Sequence, residues 1–494
     1  MNFNNNPYVL SIDAGTSSVR SMLFDASGRE VEGIGTRIPY ALTRTADGGE
    51  FIDLDEFFQI VLQAIDQAVE EARKKSIAIT AVACCTFWHN AAGVDAQGNA
   101  CTPLLSWSDV RPGAMLPRLR QRLDEKAYTR RTGCPLHASY LPAKILWLRQ
   151  EAPEAAKRAR YWMSAGEYFY YKILGKKVCS YSMASASGLL DSIRCVWDEE
   201  ALAAAAIEPE QLSALCDAAD GQRGMAPEFA RRWPMLRDAV WFPALGDGAC
   251  SNIGGGCASP ERFALMVGTS GALRAAWRGA YRESPNGLWC YRIDKTRPIQ
   301  GGALSNGGNL FKWLKGALNL PPIVELNERL PALPPDGHGL MFLPFLSGQR
   351  SPRWNPDSRG TLHGLRLSTQ PIQILQAGLE AVAYRFKLIH DLLAPNFPPE
   401  HTIIATGGGL LKSPAWIQII ADVLGRPVSV SHVAEASSRG AALMALESLG
   451  ALRDVAEADP MLGETYWPNM KAHEIYQAAL RRHLDLEKKM MNDE

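Results

Sequence analysis

The chain lacks any electrostatic bias: 52 basic residues balance 52 acidic ones, so its formal net charge is zero. That removes the case for nucleic acid or an anionic membrane as partner. It also lacks an apolar run near the ~20 residues that a membrane span requires. The opening stretch Met1-Asn2-Phe3-Asn4-Asn5-Asn6-Pro7 has no basic patch followed by an apolar core, so it does not read as a signal peptide. Ten cysteines include no C-x-x-C pair, and nine histidines include no H-E-x-x-H. Neither a zinc site nor a disulfide scaffold is therefore expected, and the thiols read as reduced and mostly buried, in a cytoplasmic protein. Also missing are the P-loop G-x-x-x-x-G-K-S/T, the G-x-S-x-G elbow and the protein-kinase motif set. Two short basic clusters, Arg118 to Arg122 and Arg130-Arg131, read as solvated helix faces.

What is present is a pair of matching turns half a chain apart. Ser11-Ile12-Asp13-Ala14-Gly15-Thr16-Ser17-Ser18-Val19-Arg20 and Leu265-Met266-Val267-Gly268-Thr269-Ser270-Gly271-Ala272-Leu273-Arg274 each carry an apolar run into a Gly-Thr-Ser turn and out again. Tips of small residues expose backbone N–H groups to which phosphate oxygens can come close. Singly, such a turn is an ordinary hairpin; two with matching flanks suggest a duplicated fold that clamps a polyphosphate. Two further glycine-rich segments qualify as nucleotide cradles, Asn306-Gly307-Gly308-Asn309 and Gly407 to Gly409.

A chain of 494 residues is expected to hold at least two domains. Tyr8 to Asp13, Val19 to Phe24 and Arg29 to Ile38 read as a three-stranded meander. A helix capped by Asp53 or Asp55 runs to about Arg73, with Phe58, Val61, Leu62, Ile65, Ala68 and Val69 on one face. Ile77 to Thr86 and Ala239 to Ala244 read as buried strands. The second half repeats this plan around Arg262 to Val267 and Ala272 to Trp277. His401 to Ala405 then leads into the triple glycine, and a helix follows with Ser413 as N-cap and Gly425 past its end. The division falls near Phe242-Pro243-Ala244, giving domains 1–244 and 245–494 of an α/β protein.

Phosphoryl transfer to a hydroxyl needs a base at the acceptor and Mg²⁺ at the donor. Asp247, between Gly246 and Gly248 at the end of a strand-like run, is the candidate base; an N-cap aspartate is the alternative. Asp13, beside the first turn, could hold Mg²⁺ through water; a turn-forming aspartate is the alternative. For a polyol, an aromatic wall with fixed donors and acceptors is needed. Trp88 and His89 follow a strand, and Trp107, Asp109 and Arg111 follow a turn. Read alone, His89 could be a core histidine and Arg111 a surface ion pair.

These motifs together resemble the FGGY carbohydrate kinases, of the superfamily that includes actin. The likeness runs from Ile12 to Ser17, through Gly246-Asp247-Gly248 and Gly268 to Gly271, to Ala405 to Gly409 with Lys412-Ser413. It includes Gly348-Gln349-Arg350-Ser351-Pro352, where Gln349 stands in place of the usual Glu. It implies two actin-like (ribonuclease H-like) domains, each a mixed sheet flanked by helices, with ATP and sugar in the cleft between them. It implies that Asp247 is the base and, with Asp13, lies at the Mg²⁺. Gly15, Thr16, Ser17, Ser18, Gly268, Thr269 and Gly308 would hold phosphates, and Gly408, Gly409 and Ser413 would lie near the adenosine. Within the family, the stretches around His89, Trp107 to Arg111, Thr132 to His137 and Tyr181 to Leu190 resemble gluconate kinases. The expected reaction is ATP-dependent phosphorylation of a sugar acid, gluconate foremost. His89, His137, Arg111 and Lys144 are the cations that could meet its carboxylate, with Trp88, Trp107 and Asp109 as further contacts. A kinase for xylulose or another polyol is the alternative, as is an actin-like or chaperone-like ATPase with no sugar. A small-molecule partner is expected, with homodimerisation left open.

Overall fold

The computed structural model describes residues 6–492. Strand Val9–Ala14 is buried at all six positions. It pairs antiparallel with Ser18–Phe24, which pairs with Glu30–Pro39, and lies parallel to Ala81–Thr86 on its other side. Val240–Trp241 and Leu245–Gly246 both pair with Ala81–Thr86 and finish the sheet. Of the strand expected over Ala239 to Ala244 only Val240–Trp241 forms; Pro243, which has no N–H to give a neighbouring strand, follows, and pairing resumes past the expected end at Leu245–Gly246.

The second sheet repeats the arrangement. Arg262–Val267 pairs antiparallel with Gly271–Ala276, which pairs with Pro298–Leu304, and lies parallel to Thr402–Thr406. Trp289–Arg292 forms one edge; Val428–Ser431 and Leu462–Tyr466 extend the other. In both sheets the central strand turns tightly into an antiparallel neighbour and takes a parallel one from far along the chain. This is the duplicated plan that the paired turns suggest, and the two mixed sheets flanked by helices that the FGGY resemblance implies.

Local chemistry sets the element ends. Asp53, not Asp55, caps helix Leu54–Lys74 by accepting from the Glu56 N–H at 2.9 Å, a contact worth about 1 kcal/mol. Phe57, Phe58, Val61, Leu62, Ile65, Ala68 and Val69 bury its inner face. The strand expected from Ile77 starts only at Ala81, because the Ile77 N–H still closes the helix end on the Ala72 carbonyl at 3.0 Å. Ser413 does sit at the N-cap of Pro414–Leu424, but its hydroxyl makes no cap bond. Arg118 and Arg120 are solvated as expected, whereas Arg131 pairs with Asp198 at 2.6 Å and Glu200 at 2.8 Å. All ten cysteines are free. Among the described residues no helix is long and apolar enough to cross a membrane.

Two helices join the halves. Asp247–Gly254 leaves the first sheet, and Ala436–Ser448, from late in the chain, packs back against Val9–Ala14 and Ala81–Thr86. They approach backbone to backbone where Gly254 and Gly440 lie. A methyl on Gly254 would fall on the Ala436 carbonyl oxygen, and one on Gly440 on the Cys250 carbonyl oxygen. Arg439, 4% exposed, fastens the crossing by donating to the Gly28, Gly254 and Asp459 carbonyls at 3.0, 2.7 and 2.8 Å. The edge strand Trp289–Arg292 makes the other inter-domain seam. Its Cys290 N–H donates to the Gly133 carbonyl at 2.9 Å, and the Tyr291 and Tyr140 hydroxyls meet at 2.6 Å.

Gly440→Ala should therefore destabilise the protein by about 1–3 kcal/mol, the range for overpacking a filled contact. Urea denaturation read by fluorescence would measure it, and an unchanged midpoint would contradict the crossing.

Candidate active site

Asp247 is the first residue of its helix, with Gly246 at the N-cap, so it is not the capping aspartate of the alternative reading. The Gly248 N–H donates to its Oδ1 at 2.7 Å, and the Trp88 backbone N–H also faces the carboxylate. Burial, then the nearby Asp13 charge, push its pKa up to about 6 against the opposing pull of Arg274. Asp13 closes the strand leading into the first turn. It is 3% exposed, and burial raises its pKa although Arg20 binds its Oδ2 at 2.9 Å. Arg274, just past the second turn, donates to the Gly248 carbonyl at 3.3 Å. The strands that carry the two matching turns thus meet at Asp247.

The glycine segments of the second half converge on the second turn. Gly307 and Gly308 lie so close to the second turn that methyls there would meet the Ser270 and Gly268 carbonyl oxygens; one on Gly409 would press on the Val267 carbonyl. A cleft of about 850 Å³ opens above them, lined by Gly268, Thr269, Gly308, Asn309, Gly409 and Lys312, with Arg44 contributed by the first half of the chain. That volume suits a nucleotide, and the backbone cradle and two basic side chains suit its phosphates. In the first turn, Gly15, Thr16 and Ser17 form the accessible tip, while Ser18 starts the return strand and is 1% exposed. Gly408 stays exposed at the third segment. Ser413 does not join them: it is buried, and its hydroxyl donates to Asn327 Oδ1 at 3.0 Å.

Against Asp247 also packs an aromatic cluster drawn from both halves. Trp88 rests on Gly246 and Gly248, where a methyl on either would strike its ring. Its Nε1 donates to the Ser182 carbonyl at 3.0 Å, and its ring meets the edges of Trp289 and Tyr291 at 5.9 and 5.2 Å. His89, at φ 61°, donates from Nδ1 to the Ala186 carbonyl at 2.6 Å, which leaves Nε2 as an acceptor. The His137 Nδ1 accepts the Ser139 N–H at 3.2 Å, which leaves its Nε2–H as a donor. Burial lowers both imidazole pKa values to about 3, so both are neutral at physiological pH.

Other expected contacts serve the scaffold. Asp109 and Arg111 bind each other through two bonds, at 3.0 and 2.6 Å, and the guanidinium lies 4.4 Å from the centre of the Trp147 ring. Lys144 donates to the His89, Leu105 and Ser106 carbonyls and so pins the strained His89 turn. Trp107 does reach this cluster, but as a platform for Arg350, 4.7 Å from its ring centre. Arg350, Tyr140, Tyr291 and Arg274 are residues at this cluster that sequence reasoning did not assign. Arg350 and Arg274 stood inside motifs already singled out; Tyr140 gave no local signal.

Residues 8–254 match the N-terminal domain, and residues 264–449 the C-terminal domain, of the FGGY family of carbohydrate kinases. The chain belongs to that family. This FGGY kinase is 28% identical over 472 residues to a gluconokinase of Bacillus subtilis (strain 168), covering 93% of this chain and 91% of the relative. The crystal structure of a gluconate kinase from Lactobacillus acidophilus superposes with a TM-score of 0.89 at 25% identity, covering 98% of both chains. A xylulose kinase from the same organism superposes with a TM-score of 0.90 at 26% identity, again covering 98% of both. Kinases of this family take phosphate from ATP and pass it to a sugar, which excludes the sugar-free ATPase reading.

Gly308→Ala should raise the KM for ATP at least ~10-fold, because the added methyl displaces the backbone floor of the cleft. Steady-state kinetics with varied ATP would measure it, and the sugar KM should move far less.

Proposed function

We propose that this FGGY kinase phosphorylates a sugar acid, converting D-gluconate to 6-phosphogluconate, with Asp247 as the general base. One observation carries the reading: a carboxylate whose pKa is pushed up to about 6 stands against the Trp88 cluster, which holds one imidazole acceptor and one imidazole donor, in a chain whose glycine floor bounds a nucleotide-sized cleft. The likeness to gluconokinases supports the choice of acceptor. The equally close likeness to a xylulose kinase supports a ketose as the second reading.

In this mechanism Asp247 accepts the proton of the sugar's primary hydroxyl. The freed oxygen bonds to the γ-phosphorus, the bond from that phosphorus to the β–γ bridging oxygen breaks, and ADP leaves. The base later releases its proton to solvent. A pKa near 6 keeps the carboxylate ionised at neutral pH yet basic enough to take a proton in the transition state. Thr16 and Ser17, and Thr269 across from them, present N–H groups to the phosphates, while the Gly15 and Gly268 N–H groups close the turns on the Ser18 and Ser270 carbonyls at 3.2 and 3.0 Å. Gly308 and Gly409 let the nucleotide approach the backbone. Asp13 and Asp247, two neighbouring carboxylates, suit a hard divalent ion and would hold Mg²⁺ chiefly through water. Bound there, Mg²⁺ neutralises phosphate charge. The Trp88 and Tyr291 walls exclude water from the reacting end, which limits wasteful hydrolysis. The ten reduced thiols support a cytoplasmic setting.

Asp247→Asn should lower kcat at least ~10²-fold, as loss of a general base does. In the wild type, kcat/KM for the sugar should fall with the ionised fraction of Asp247 as pH drops through about 6, and level off above it. A flat profile from pH 5 to 8 would remove the role. ADP release should depend on added sugar, with gluconate the strongest activator in a panel of aldonates, ketoses and polyols.

A further inference from the structure

A sugar acid brings a negative charge into a buried cavity, and such a charge requires a cation or several donors. The cations named from sequence are otherwise engaged. Arg111 is paired with Asp109, Lys144 is bound to three backbone carbonyls, and His89 and His137 are neutral. Arg274 also has a buried Nε without a partner, but the Asp247 carboxylate beside it supplies a counter-charge.

Arg350 is in a different position. It reaches the cluster from the second domain, on a loop held in place by Gln349, which is 3% exposed and donates to Glu487 of the C-terminal helix at 2.9 Å. Its guanidinium stacks on Trp107 and donates once, from Nη2 to the Leu304 carbonyl at 2.8 Å. Its Nε is buried and has no partner. The groups acting on its charge are Tyr140, Tyr291 and Arg274, and burial keeps both phenols protonated, so none offers a negative charge. A buried guanidinium with an idle donor and no counter-charge is costly unless a ligand completes it.

Its place also fits. Asp247 meets Trp88, Trp88 meets Tyr291 and His89, and His89 meets Tyr140. The Arg350 charge acts on His89, His137, Tyr140 and Tyr291, so Arg350 stands beside the imidazoles, with Trp88 between them and Asp247. We propose that Arg350 receives the substrate's carboxylate, so that the enzyme reads a sugar acid by charge at the end remote from the hydroxyl it phosphorylates. This rests on the sugar-acid reading above.

The test compares D-gluconate with its neutral isostere D-gluconamide in wild type, Arg350→Gln and Arg350→Lys. Wild type should prefer the acid in kcat/KM by about 10–100-fold, the range for a charge-assisted hydrogen bond. Arg350→Gln should raise the gluconate KM by a similar factor, leave kcat within a few-fold, and bring the acid-to-amide ratio close to one. Arg350→Lys should retain part of the preference. Equal losses on acid and amide, or an unchanged ratio, would make Arg350 a scaffold residue and overturn the proposal. Should the Gln variant fail to fold by circular dichroism, the Lys variant decides: selective weakening of gluconate supports the assignment, and equal loss on both defeats it. A wild type that phosphorylates a neutral ketose but neither gluconate nor its amide overturns the sugar-acid reading itself, a result separate from any effect of the variants.

Discussion

The crossing of helices Asp247–Gly254 and Ala436–Ser448 sets everything else. It is a contact of backbone with backbone, made where Gly254 and Gly440 remove the side chains that would hold the helices apart. Side-chain packing can shift by rotamer changes, but a carbonyl oxygen against a Cα has no such freedom. Because Asp247 is the first residue of one of these helices, its position relative to the first sheet is fixed by that contact. So is the nearness of Asp13, which raises its pKa. The chemistry at the carboxylate is therefore a consequence of how two distant parts of the chain pack.

The site divides its tasks by residue type. On the nucleotide side, glycines bring N–H groups forward and keep bulk away, as charged phosphates require. On the sugar side, large rings exclude water, and the polar groups are few and fixed by bonds to the backbone. Lys144 illustrates this. Its charge sits in the interior, and burial pulls its pKa down to about 7. Its three bonds hold the His89 turn rather than a ligand. Asp109 and Arg111 likewise fix the shape of the wall around Trp107 without lining it.

Much of this was legible in the sequence, where the signal was local. The duplicated plan followed from two matching turns, the amphipathic helix after Asp53 from its period, and Asp247 from its glycine flanks. The family model matches agree with that plan. The ion-pair alternative for Arg111 was legible, and Asp109, two residues away, is the partner. What stayed hidden depends on contacts across the chain. Nothing near Ser413 announces that Asn327 will take its hydroxyl. Tyr140 and Tyr291 lie in unrelated segments, and only the folded seam makes them one feature. Arg350 was visible as part of a motif, but its solitude could not be read before its neighbours were known.

The seam between Tyr140 and Tyr291 has a mechanical consequence. With the phenols joined at 2.6 Å and the Cys290 amide bound to Gly133, the rear of the sugar cavity is already stitched shut. Prising the lobes apart there would strip several polar groups of partners at once. A swing of the lobes thus costs least at the mouth above Gly268 and Gly308, where Arg44 faces the glycine floor across open space. On the proposed reading, the stiff end would take the small acceptor and the yielding end the bulky donor.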